Sequence, residues 1–259
     1  MLAFLTVLAN LSLADAPPPP DALPGPQSSG DRRVGPFTRD TYPSETSARP
    51  LTLPAGMVRG GAALDVEWIR LSTFNWSTNL GLSAAFGLTD AIEVNAFAAF
   101  GLSPLLEARR VGVSGALSLR DGDVLDLALA VGFDLAPSST TSRPALSLAL
   151  PGRLLFADQL FLTFGGELLR FQLSPLLPQA ALKLGVGGQV TSSLAVVLET
   201  DVLKLAGGAA LFHTVTLPLD LSVTLAVARG FDLRARVMTV NAANPRLAGT
   251  FTLAGSAYY

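Results

Sequence analysis

The chain has 259 residues, a net charge of -2 and no basic run, which leaves no electrostatic footprint for nucleic acid. It contains no cysteine and one histidine, His213, so disulfides, thiolate metal sites and histidine clusters are excluded and no cofactor is expected. With 15% charged residues and a mean hydropathy of +0.45, it must either bury an outsized core or face lipid.

Residues 1–16, "MLAFLTVLANLSLADA", combine an apolar run with the small-x-small site Ala14-Asp15-Ala16, the pattern of a secretory signal peptide. The run is shorter than the ~20 residues of a spanning helix. The first basic residue is Arg32, so the signal is atypical or begins upstream; a short buried helix is the alternative reading. Residues 17–50 are rich in Pro, Gly and Ser with almost no apolar periodicity. They read as a periplasmic linker, or as a plug tucked into a cavity.

From residue 51 to residue 259 the pattern has period two, which means strands with one apolar and one polar or small face. The first strand, 57–71, sets Arg59, Asp65 and Glu67 against Val58, Leu64, Val66 and Trp68. Strand 79–88 follows, and strand 92–102 carries Glu93 and Asn95 on its polar face. Arg110 precedes strand 111–120, which ends on Arg120. In "VLDLALAVGFDLA", Asp126 and Asp134 alternate with Leu125, Leu127, Leu129, Val131, Phe133 and Leu135. Strands 145–156, 160–169 and 180–190 place Arg153, Glu167 and Lys183 on the same inner side. Strands 194–203, 211–227 and 231–240 add Glu199 and Asp201, then Asp220, then Asp232, Arg234 and Arg236. Strand 250–259 completes the series.

Connections alternate in length. Short turns such as "LTDA", "RDGD" and "TSS" recur roughly every 35 residues, with longer links between them. That interval suits some helical repeats, but period-two faces exclude them. With the first and last strands the count is twelve. An even number of antiparallel strands with short turns on one side describes an all-β, closed, up-and-down transmembrane barrel. Lipid offers no hydrogen-bond partner to an open edge, so the first and last strands are expected to pair.

The final stretch "GTFTLAGSAYY" places Phe251, Leu253, Gly255, Ala257 and Tyr259 on one face. This resembles the carboxy-terminal assembly signal of Gram-negative outer-membrane proteins. Gly255 and Ala257 are smaller than is usual there. The "LTLPAGMVRG" stretch and the "GL-T-D" turns are similar to poorly characterised bacterial barrels described as transporters. The resemblance implies residence in the outer membrane, with both termini periplasmic. It implies outer-membrane lipid, the barrel-assembly machinery and small solutes as partners.

Outer-membrane phospholipases resemble barrels of this size and use a His-x-Ser arrangement. Here His213 is followed by Thr214 and Val215, so the nucleophile is missing and no enzyme is expected. The "GVGG" at 185–188 lies inside a strand, with no helix after it to receive phosphate.

The inner charges, interleaved with Gly, Ala, Ser and Thr, point to a narrow water-filled conduit for small solutes, including moderately hydrophobic ones. If instead those charges pair and fill the interior, the barrel is a closed structural scaffold with a periplasmic tether. A lipid-modifying enzyme is the remaining alternative. Acids exceed bases among the inner residues named, which predicts a weak cation preference.

Overall fold

Leu64 and Leu253 stand opposite each other where the first strand meets the last, and that pairing closes the molecule into a ring. The computed structural model describes residues 37, 41–70, 74–103, 106–137, 142–156, 159–173, 176–206, 218–239 and 248–259. Residues 1–16 lie outside this set, as do His213 and most of 17–40.

The strands are β1 (Val58–Arg70), β2 (Phe74–Thr89), β3 (Ile92–Ser103), β4 (Glu107–Arg120), β5 (Leu125–Ala136), β6 (Arg143–Ala149) and β7 (Gly152–Leu155). They continue as β8 (Leu160–Gly165), β9 (Glu167–Leu173), β10 (Leu176–Thr191), β11 (Leu194–Ala206), β12 (Leu219–Ala228), β13 (Phe231–Thr239) and β14 (Ala248–Tyr258). All pair antiparallel with their neighbours, and β10–β11 together with β1–β14 leave no open edge among the described strands. β6 with β7, and β8 with β9, are the two halves of single staves: β5 pairs with both β6 and β7, and β10 pairs with both β8 and β9. The barrel is therefore twelve-stranded, as the alternation predicted.

Large apolar side chains on the outer face, such as Leu82, Val113, Val131, Val186 and Leu253, are exposed at 43–57%. An apolar belt this continuous suits lipid and not water. Near the long-link end, the rings of Trp68 and Trp76 lie 6.5 Å apart on this face, the level at which aromatic girdles mark a membrane interface.

Three differences from the sequence reading have physical causes. First, β2, β4 and β10 run 14–16 residues, beyond the roughly 9–11 that cross a bilayer. Their ladders continue past the point where apolar alternation stops, so several long links shrink to two or three residues. Second, the strand expected over 145–156 breaks at Leu150–Pro151, because proline cannot donate to the ladder. Third, the strand expected over 160–169 continues to Leu173 through a bulge at Gly165 and Gly166, with φ of 90° and 79°. A Cβ on Gly165 would lie 1.8 Å from the Leu150 carbonyl oxygen, so glycine is required both by φ and by contact. Of the strand expected over 211–227, the part from Leu219 is observed and 211–217 lies outside the described residues.

Candidate functional site: the barrel interior

Alternation along each strand sends one side-chain set inward, and acids and arginines meet there. Arg110 lies beside Asp134, donating from Nε at 2.9 Å and Nη2 at 2.8 Å to its two carboxylate oxygens. Arg170 donates to the same carboxylate at 2.7 Å. Across the barrel, Arg236 chelates Asp220 with two donors, and Arg234 donates to the Ser222 hydroxyl at 3.2 Å. Near the short turns, Arg153 binds Asp126 at 2.6 Å and Arg59 binds Glu93 at 3.0 Å. Asp65 accepts from the Thr252 hydroxyl and Glu199 from that of Thr163.

These pairs share a layering. Asp134, Asp220 and Glu93 have side chains 2–9% exposed, whereas their partners Arg110, Arg236 and Arg59 are 34–40% exposed. The carboxylate sits against the wall and the guanidinium lies over it. Glu67 and Glu167 are the converse: their side chains are 43% and 46% exposed, within 3.7 and 3.5 Å of Arg109 and Arg170. Lys183, Glu199, Asp201 and Asp220 surround a cavity of about 20 Å³, room for about one water. Asn95 is partly buried on the inner face of β3.

Two inner arginines escape simple alternation. The Gly165–Gly166 bulge reverses parity, so Arg170 of β9 points toward Asp134. A second irregularity, between Ala99 and Phe100 of β3, sets two β4 residues against one and brings Arg109 to Glu67 beside the inward Arg110. A third, between Ser118 and Arg120, puts Arg120 opposite the outward Leu127, exposed at the short-turn rim. With Arg120 at the rim and Arg109 and Arg170 inside, the ten inner acids face eight bases instead of seven, so the acidic excess behind the expected cation preference narrows to two. Phe97 and Phe161 were also missed: both point inward, over Gly112 and Gly187, with Arg110 and Arg153 above their rings.

The short-turn mouth holds residues 41–57. Arg49 is hydrogen-bonded to both carboxylate oxygens of Asp232 and lies against the stacked rings of Tyr42 and Tyr258, 5.3 and 5.4 Å from their centroids. The Thr46 amide donates to Gln189 at 3.0 Å and the Leu53 amide to Glu93 at 2.8 Å. Arg153 donates to the carbonyls of Thr46 and Arg49. Gly56 and Met57 bond the backbone of Gly87 in β2. Burial, then the neighbouring Tyr258, pushes the Tyr42 phenol well above its ordinary pKa of 10.0.

On the outer face, Ala84, Ala96 and Gly115 floor an open apolar groove of about 610 Å³, rimmed by Phe86, Val113 and Phe133. Of the terminal residues singled out in the sequence, Phe251, Leu253, Gly255 and Ala257 share the outer face of β14, and Tyr259 exchanges two backbone hydrogen bonds with Val58 at 2.8 and 2.9 Å.

No family model and no curated protein matches the sequence. Among solved structures, an outer membrane channel from Pseudomonas putida F1 is similar with a TM-score of 0.56 and 10% identity, over 80% of this chain and 97% of that one. The NanC porin is similar with a TM-score of 0.51 and 10% identity, over 76% of this chain and 99% of that one. The KdgM porin gives a TM-score of 0.50 and 11% identity, over 75% and 98%. The fold is thus that of the outer-membrane β-barrel porins and channels.

Proposed function

We propose that the protein is an outer-membrane channel, a narrow conduit for small solutes. The observation that carries this is Arg234, which is solvent-exposed although it points to the inside of a closed ring. A charged side chain inside a lipid-facing shell that remains accessible implies water around it. Arg110 and Arg236, at 40% and 34%, support the same wet interior. Uncharged or moderately apolar solutes would cross the small-residue stretch around Ala130, Gly132 and Ser147. The similar porins and channel are consistent with this use of the fold.

In this reading residues 1–16 are a signal peptide, the short-turn end and both termini face the periplasm, and the β14 terminus is read by the barrel-assembly machinery. The scaffold reading draws on the buried Asp126–Arg153 pair, at 1% and 6% exposure, which fills part of the interior. An enzyme reading lacks a nucleophile beside His213. The deciding measurement is single-channel current of the refolded full chain in a planar bilayer. Discrete steps are expected; a heat-modifiable, correctly folded barrel that stays silent even with residues 41–57 displaced from the mouth would favour the scaffold.

A further inference from the structure

Residues 41–57 contact the barrel around its whole circumference, not on one side. Their partners are Gly87 on β2, Glu93 on β3, Arg153 on β7, Gln189 on β10, Asp232 on β13 and Tyr258 on β14. All six lie at the short-turn end. Within the segment Ser47, Thr52, Leu53 and Met57 are 1–3% exposed, and the wall residues Gln189, Arg153 and Glu93 are 5–7% exposed. Exposures this low leave no water-sized gap beside these residues.

We propose that Tyr42–Met57 is a releasable stopper for the conduit inferred above, seated in the short-turn mouth and keyed by Arg49. Two features distinguish a seat from an accidental collapse. The first is Gly87, whose backbone bonds Gly56 and Met57 at 2.8 and 2.9 Å. A Cβ there would lie 1.9 Å from the Pro54 carbonyl oxygen and 2.6 Å from that of Leu53. Its own φ is not in the positive range, so β2 has no local need for glycine; the close approach of the segment is what excludes a side chain. The second is charge. Asp232 receives the Arg49 guanidinium and Glu93 the Leu53 amide, while Arg153 is shared between Asp126 and two segment carbonyls. Withdrawing the segment strips partners from three charged groups with little access to water. Withdrawal therefore requires water to enter at once, which makes seated and released two distinct states.

The proposal rests on the conduit reading, and the experiment separates the two. The chain has no native cysteine, so Thr46→Cys with Gln189→Cys can be joined specifically by a short bifunctional thiol reagent. Joined barrels should conduct several-fold less than the same protein before joining. Gly87→Ala, which forces the segment out while leaving the β2 ladder intact, should conduct several-fold more than wild type. Arg49→Glu, which sets like charge against Asp232, should do the same. Currents equal in joined, unjoined and Gly87→Ala barrels would overturn the stopper and leave the conduit standing. Silence in every variant, Gly87→Ala included, would overturn both.

Discussion

Asp134 is 2% exposed and lies beneath two guanidinium groups, of which Arg110 is 40% exposed. The carboxylate anchors the arginines from the wall side, and the solvent-facing layer at that height is cationic. Because the charges are paired, wild type should discriminate little between small ions. Asp134→Asn should leave Arg110 without its carboxylate and Arg170 with Glu167 alone, and shift the reversal potential under a salt gradient toward anions. Arg110→Gln should shift it the other way. Both shifts should grow at low salt, since the Debye length rises to ~30 Å near 0.01 M. An unchanged reversal potential for Asp134→Asn would place the pair outside the ion path.

Topology follows from which end carries the short turns. Leu106, 79% exposed between β3 and β4, lies at the long-link end, and Ser192, exposed between β10 and β11, at the other. Leu106→Cys should react with an impermeant thiol reagent on intact cells and Ser192→Cys should not. The opposite labelling would invert the barrel in the membrane and put the segment 41–57 on the cell exterior.

Closure rests on β1 and β14. Leu253 faces outward at 43% exposure in the middle of β14, opposite the outward Leu64. An arginine on the lipid face costs about 2–4 kcal/mol at the midplane. Leu253→Arg should therefore lose membrane-inserted, heat-modifiable protein. Its inward neighbour Thr252, hydrogen-bonded to Asp65, should tolerate Thr252→Ser with normal insertion. Equal insertion of Leu253→Arg and wild type would mean that this face does not meet lipid.

The strand count, the closure and the inner placement of Asp126, Asp134, Glu199 and Asp220 were legible because period-two alternation maps directly onto the two faces of a barrel wall. Arg109, Arg120 and Arg170 were not legible. Each sits at a bulge, and one inserted residue moves everything beyond it to the other face. The Gly165–Gly166 pair was the available signal for Arg170, since consecutive glycines inside a strand mark such a bulge. The seat of residues 41–57 left no periodic trace. Its contacts are backbone amides, single side chains and a glycine on β2, joined across sequence separations from 30 residues (Met57 to Gly87) to 209 (Arg49 to Tyr258). Composition shows only that the segment cannot build its own core; here the barrel supplies one.

Tyr42 gives that seat a pH dependence whose sign is fixed. Its phenol is held neutral by burial and by Tyr258, against the smaller opposing pull of Arg49 and Arg59, with Asp232 adding to the upward shift. Its seated pKa lies above the ordinary 10.0, so the seated state binds the proton more tightly than the released one. The stabilisation is complete below pH 10 and declines as pH rises through and beyond it. Raising pH from 8 to 11 should therefore speed thiol labelling of a single Thr46→Cys protein several-fold beyond the rise shown by Ser192→Cys. The exposed thiol there reports thiolate formation alone, and rates are taken relative to it. Tyr42→Phe keeps the ring against Tyr258 and removes the ionisable group, so it should flatten that rise. Labelling that accelerates equally in both proteins would assign the alkaline release to another group, and labelling that slows would contradict the burial of the phenol.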